Sequence, residues 1–232
     1  MPSLPPAIEL ASTSRGRGPL VLGLHDLGKT GVYMQQVLAP LSDEFRVVAP
    51  DLRGHGASPT PKAPWSIDDF SSDASRIIAE SGDQAIVVGV GLGAATAVGL
   101  ALGHPKLVRA LVLTGMAAKP EDAERDDRWA RVAQGLREEY RAEGLALSAE
   151  ALGRRPDWRR ALAQVASPAV VVAGAEDAAV PPSAQRELAM WFPSGQFELV
   201  EGAGKNLAGE HPERLISAVR SLVESTSLRK AA

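Results

Sequence analysis

The stretch Ala85-Ile86-Val87-Val88-Gly89-Val90-Gly91-Leu92-Gly93-Ala94-Ala95-Thr96 joins a β-branched, apolar run to an Ala-rich run through a turn of small residues. Its composition predicts a buried strand, a tight turn and a helix, which is the build of a nucleophile elbow. Such a turn holds one residue at a strained positive φ so that its side chain projects into a pocket. Gly91 stands at that position and has no side chain to project. The chain thus carries the scaffold for nucleophilic attack without the atom that attacks.

On either side of this unit, short β-branched runs alternate with helical stretches. That pattern enforces right-handed crossovers and a mostly parallel sheet. Strands are predicted near Leu20 to Leu24, Phe45 to Ala49, Ala85 to Val90, Ala110 to Thr114, Ala169 to Ala173 and Gln196 to Val200. Helices are predicted near Val32 to Leu41, Ile67 to Glu80, Leu92 to Leu102, Ser183 to Trp191 and Pro212 to Val223. Before the first of these strands there is room for one short strand, Ala7 to Ala11, followed by a Ser/Gly/Arg turn. The expected class is an α/β fold: a doubly wound, mostly parallel sheet with helices on both faces, forming one domain over residues 1–232.

The interval of about 116–167 breaks the alternation, being charged and helical in character. Within it Trp129, Val132, Ala133, Leu136 and Tyr140 recur at helical spacing and make one apolar stripe. The stripe either packs on the domain's own sheet edge or belongs to a small helical lid over the carboxyl ends of the strands, where open α/β sheets bind ligands.

Composition excludes several classes. The 232 residues carry a formal net charge of −3 with both signs interspersed, so no electrostatic footprint for nucleic acid or an anionic membrane is expected. Without cysteine, and with only four scattered histidines, neither a disulfide framework nor a metal-ligand cluster is read, and no cofactor is expected. The N-terminal Met1-Pro2-Ser3-Leu4-Pro5-Pro6 lacks the basic start and apolar core of a signal peptide. A cytoplasmic protein with a small-molecule ligand or a protein partner is the expectation, its oligomeric state unread, and the heavy use of Ala, Arg, Gly and Leu points to a GC-rich bacterial genome.

Together these landmarks resemble the α/β-hydrolase superfamily from about Pro19 to Val223. Leu24-His25-Asp26-Leu27-Gly28 resembles the segment bearing half of the oxyanion hole, and Pro50-Asp51-Leu52-Arg53-Gly54-His55-Gly56-Ala57-Ser58 matches the family's loop after the next strand. Val172 to Pro182 looks like the strand end bearing the triad acid, which puts Asp177 in that role. Gly202-Ala203-Gly204-Lys205-Asn206 resembles the loop delivering the triad His, and here the position holds Lys205. The family order Ser, Asp, His thus becomes Gly91, Asp177, Lys205. Nucleophile and base are lost together, so the hydrolytic activity of the family is not implied. A narrower resemblance joins Gly89 to Ala94 and His25-Asp26 to the N-myc downstream-regulated proteins, non-enzymatic members of this fold that also carry Gly at the elbow, although the loop Asp51 to Ser58 follows the ordinary hydrolase pattern.

The resemblance places backbone N–H donors of Leu27 and Leu92 at an oxyanion hole able to receive an oxyanion, carbonyl or carboxylate; alternatively, Leu side chains or water fill it. Gly91 either relieves strain or leaves room for a ligand atom. Lys205 is expected to reach Asp177 in an ion pair, as a structural device or as a charge that stabilises a developing anion. His25 reads as a buried, hydrogen-bonded residue near the hole. Asp26, where active relatives often have Gly, either crowds the hole, favouring cationic or hydroxyl ligands, or caps the turn. Tyr33, Met34, Trp65, Trp129 and Trp158 serve as pocket lining or core. Thr96 is expected to bond back to its own helix rather than act as nucleophile. The leading expectation is a non-hydrolytic pseudo-hydrolase that binds a small molecule or protein partner. The alternative is an enzyme using the hole with Lys205 and Asp177 for proton transfer, elimination or cyclisation of a carbonyl compound, and residual esterase activity stands last.

Overall fold

In the strand Leu20–Leu24 (β2), Leu20, Leu22 and Leu24 join one core cluster and Val21 the other. The strand Ala85–Val90 (β4) does the same, Val87 facing one layer and Ile86, Val88 and Val90 the opposite one. Strands that are apolar on both faces must be covered on both faces, and this dictates the three-layer build. The computed structural model describes residues 5–120 and 127–230. Around β2 and β4 it places Ser12–Arg15 (β1), Arg46–Pro50 (β3), Val108–Thr114 (β5), Ala169–Gly174 (β6) and Gly195–Val200 (β7), in sheet order β1-β3-β2-β4-β5-β6-β7. All neighbouring pairs are parallel except β1 with β3.

One face is covered by Ile67–Ser81 (α2), Leu92–Gly103 (α3) and, further along, Pro182–Trp191 (α7), which contribute Phe70, Leu92, Val98 and Leu188 to its core. The other is covered by Gly31–Val37 (α1) and the C-terminal helix Pro212–Lys230 (α9), through Met34, Val37, Leu215 and Val219. Between β5 and β6 the described residues form three helices, Arg128–Glu138 (α4), Glu143–Gly153 (α5) and Arg159–Leu162 (α6). Part of the interval 116–167, residues 121–126, lies outside the described residues, as does the start of the chain through Leu4. A short helix, Leu207–Glu210 (α8), precedes α9. Among the described residues no helix is long and apolar enough to cross a membrane, and no group of three or more His, Cys, Asp or Glu side chains could hold a metal ion.

Three sequence expectations are corrected. The first strand is not Ala7 to Ala11 but Ser12–Arg15, which pairs antiparallel with β3 from Ser12 opposite Pro50 to Arg15 opposite Val47. Residues 7–11 are instead held by side chains, Ile8 N–H donating to Asp73 and Ala11 N–H to Ser58 Oγ. The helix expected over Val32 to Leu41 ends at Val37 and continues as a 3₁₀ turn, Ala39–Asp43, because Pro40 cannot donate to the α-helical ladder. The stripe on α4 loses Tyr140, which lies beyond the helix and is 72% exposed. Trp129, Ala133 and Leu136 pack with Ala146 and Ala149 of α5, and Trp129 also packs against the main core.

The loop after β3 is anchored from inside. Arg53 is buried and donates to both carboxylate oxygens of Asp73 at 2.7 and 2.9 Å and to Asp69 at 2.9 Å, with its guanidinium against the Trp65 and Phe70 rings. This network ties the loop Asp51 to Ser58, helix α2 and the N-terminal arm into one unit beside the strand ends.

Candidate functional site

The turn between β4 and α3 has Gly91 at φ +53° and ψ −109°, a conformation that strains any residue with a Cβ. Two further glycines let the turn sit close. A Cβ at residue 93 would overlap the Leu24 carbonyl, and one at residue 89 would press on Ala94 at 2.6 Å. The N-terminus of α3 therefore lies directly on the end of β2, which brings Leu92 N–H beside the loop His25 to Gly28.

Leu27 N–H and Leu92 N–H converge on one point, and that point is occupied by the chain itself. Both donate to Asp26 Oδ1, at 2.7 and 3.0 Å. The same carboxylate fills the space where a side chain at residue 91 would begin, for a Cβ built there overlaps Asp26 Oδ1 and Cγ. Neither Leu side chains nor water explain the filling; an internal carboxylate does. Glycine at 91 and aspartate at 26 are one arrangement, since the carboxylate can sit on the two N–H groups only where residue 91 lacks a side chain. Oδ2 of Asp26 receives no hydrogen bond among the described residues, and Asp26 lines a cavity.

His25 holds Asp26 in place from behind. It is fully buried, with Nδ1 2.8 Å from the Asp26 carbonyl and Nε2 2.9 Å from Leu52 N. Because Leu52 N–H can only donate, Nε2 accepts and Nδ1 carries the proton, giving a neutral ring. Burial lowers its pKa to about 4, against smaller upward pulls from the Asp26 carbonyl and the Asp51 carboxylate and a downward one from His55. His55 packs edge-on to His25 at 4.9 Å between ring centres and is also pushed down, chiefly by burial. An imidazole whose pKa is lower folded than unfolded costs stability once the unfolded chain takes up protons that the fold refuses. Unfolding free energy is therefore expected to be full above pH 6.5 and to fall as pH drops from 6.5 to about 4. The His25 share is about 3 kcal/mol. Urea unfolding across this range should show a flatter profile in His25→Gln; an unchanged slope would refute the assignment.

Asp177, on the turn after β6, is 4% exposed and fully satisfied. Oδ1 accepts from Ala179 N–H and Val180 N–H, both at 2.9 Å, and Oδ2 from Gln185 Nε2 at 3.1 Å. Gln185, buried on α7, uses its Oε1 to accept from Gly115 N–H at 2.8 Å. The expected ion pair with Lys205 does not form. Three donors already meet the Asp177 carboxylate, so the fold has no need of a lysine there. Lys205 is instead exposed, makes no ion pair among the described residues, and lines the cavity.

The cavity, of about 260 Å³, lies over Gly91 and the strand ends. It brings together Asp26, Leu27, Gly91, Leu92 and Lys205, and leaves out His25 and Asp177, which stand behind its wall. Met116 after β5, Trp129 and Val132 of α4 and Leu152 of α5 supply apolar wall, and Arg128 and Arg155 also line it. Of the other aromatic candidates, Trp65 and Trp158, like Met34, are core, and the Tyr33 hydroxyl donates to Asn206 at 3.2 Å. Thr96 Oγ1 donates to Leu92 O within α3. Sequence reasoning missed Gln185, for which no local signal exists, and the filling of the hole, for which the Asp at position 26 was a signal of crowding but not of geometry.

The model of the family described as alpha/beta hydrolase fold matches residues 19–156, more than half of the chain. The chain belongs to this family. Among curated relatives it is 33% identical over 129 residues to the 2-(acetamidomethylene)succinate hydrolase of Mesorhizobium japonicum, a match covering 55% of this chain and 46% of that protein. It is 27% identical over 207 residues to 3-oxoadipate enol-lactonase 2 of Acinetobacter baylyi, covering 74% of this chain and 76% of that one. Among solved structures, a thermophilic esterase from Thermogutta terrifontis superposes with a TM-score of 0.86 at 25% identity, covering 93% of each chain. The alpha/beta hydrolase fold is thus common to this chain and to proteins named as hydrolases, lactonases and esterases.

Proposed function

We propose that this protein is a non-hydrolytic member of its family that binds a small molecule in the cavity over Gly91. The observation that carries the reading is the Asp26 carboxylate on both Leu27 N–H and Leu92 N–H. An acyl substrate needs those donors free to stabilise its oxyanion, and a carboxylate in their place repels the charge that develops. Gly91 supplies no nucleophile and Lys205 stands where a base would be needed, so three requirements of acyl transfer are missing at once. The helices α4 and α5 act in this reading as a small lid, since Trp129, Val132 and Leu152 wall the cavity. The alternative of carbonyl chemistry loses both supports: the hole is filled, and Asp177 and Lys205 are not paired.

Hydrolysis of a panel of activated acyl esters between pH 6 and 10, with intact-mass detection of adducts, tests the proposal. Wild type and Lys205→Ala are expected to stay at the blank rate with no adduct. Turnover by wild type that Lys205→Ala abolishes would sink it.

A further inference from the structure

The cavity wall contains two opposite charges, Asp26 and Lys205, that form no ion pair with each other or with any other described residue. Asp26 Oδ1 is consumed by two backbone N–H groups, while Oδ2 has no donor among the described residues. Lys205 lines the same cavity and makes no ion pair with Asp26 or with any other described carboxylate. Asp26 is half-buried beside an apolar wall, where a charge without a counter-ion is costly, while Lys205 is exposed at the same cavity. Two charges in one cavity that do not meet each other are matched by one ligand that meets both.

We infer that the cavity takes a small zwitterion of the amino-acid class, its ammonium on Asp26 Oδ2, its carboxylate towards Lys205 and its apolar body against Met116, Trp129 and Leu152. This names the ligand of the site proposed above and rests on that reading. A simple carboxylic acid would meet Lys205 favourably but would set its hydrocarbon against Asp26. A simple amine would satisfy Asp26 and leave Lys205 facing a like charge, with Arg128 and Arg155 also in the wall. The two contacts are unequal. Asp26 is half-buried and held by Leu27, Leu92 and His25, so its contact is the stronger one; Lys205 is exposed, and an exposed pair contributes little.

Isothermal titration calorimetry with two matched sets checks the assignment: leucine, 3-methylbutylamine and 4-methylpentanoate, and phenylalanine, phenethylamine and 3-phenylpropanoate. At least one amino acid is expected to bind about ten-fold or more tighter than its own amine and its own acid. Asp26→Asn keeps an oxygen for the two N–H groups, and should weaken the amino acid by about ten-fold while erasing its advantage over the acid. Lys205→Gln should cost about three-fold and reduce its advantage over the amine. An acid or amine that binds wild type as tightly as the amino acid overturns the inference, as does absence of binding by both amino acids up to about 10 mM. The wild-type comparison stands even if Asp26→Asn does not fold. Failure here leaves the esters uncleaved, whereas failure of the non-hydrolytic reading appears as ester turnover, so the two are separable.

Discussion

A Gly91→Ser chain is expected to lose about 3 kcal/mol of stability and to gain no esterase activity. Two costs add. A Cβ at φ +53° and ψ −109° carries backbone strain of about 1–3 kcal/mol. It also displaces the Asp26 carboxylate, whose Oδ1 would have to leave the N–H groups of Leu27 and Leu92. Removing the carboxylate as well should relieve the second cost: Asp26→Ala with Gly91→Ser is expected to be more stable than the sum of the single effects by about 1–3 kcal/mol, the coupling seen for residues in direct contact. Urea unfolding of wild type, both single variants and the double variant measures this cycle. Additive effects would mean that the glycine and the aspartate are independent, and that the filled hole does not explain the missing side chain. No activity is expected in any member, because a serine without a neighbouring base is a weak nucleophile.

The second large effect lies in the loop behind the site. Arg53→Met should destabilise the fold by about 3–5 kcal/mol, the usual consequence of stripping one partner from a buried ion pair. The methionine keeps much of the volume against Trp65 and Phe70, so the loss reports mainly on Asp73, whose side chain is fully buried and which also receives Ile8 N–H. Burial already pushes the Asp73 carboxyl upward, and the hydrogen bonds and charge of Arg53 oppose this. Without Arg53 the folded-state pKa rises further above its unfolded value. A group raised in this way favours the fold at low pH and loses that contribution as pH rises through the folded pKa, so the deficit of Arg53→Met should be smaller at pH 5 than at pH 8. Adding Asp73→Asn, which retains an acceptor for Ile8, should recover most of the loss. Equal deficits at both pH values, with no recovery in the double variant, would show that packing rather than charge is what Arg53 provides.

Much of this molecule was legible along the chain because its signals are local. The two-sided apolar strands, the run of Gly89, Gly91 and Gly93, and the helix that follows depend on residues a few positions apart, and the elements appear at their expected places to within a few residues. Where local signals were weak the reading slipped. Residues 7–11 look like a strand, yet the neighbouring polar Ser12–Arg15 pairs with β3 because register across the sheet, not side-chain character, selects the edge strand. Tyr140 matches the helical spacing of Trp129 and Leu136, but the helix ends at Glu138 before reaching it.

The residue types at the candidate site were readable as well: a glycine at the turn after β4, a lysine on the loop after β7 and an aspartate after β2, all three lining one cavity. How these residues meet was not, because each contact spans tens of positions and is settled by competition among donors. Lys205 and Asp177 carry opposite charges on neighbouring loops, a sufficient reason to pair them on paper. In the fold, Ala179, Val180 and Gln185 reach the Asp177 carboxylate first and leave the lysine in solvent at the cavity rim. Asp26 and Leu92, separated by 66 positions, come together only because small residues let α3 lie on the end of β2. Residue types and local periodicity thus determine which elements form and which residues stand at their ends; the satisfaction of buried polar groups, which depends on every element packed around them, decides how those residues meet.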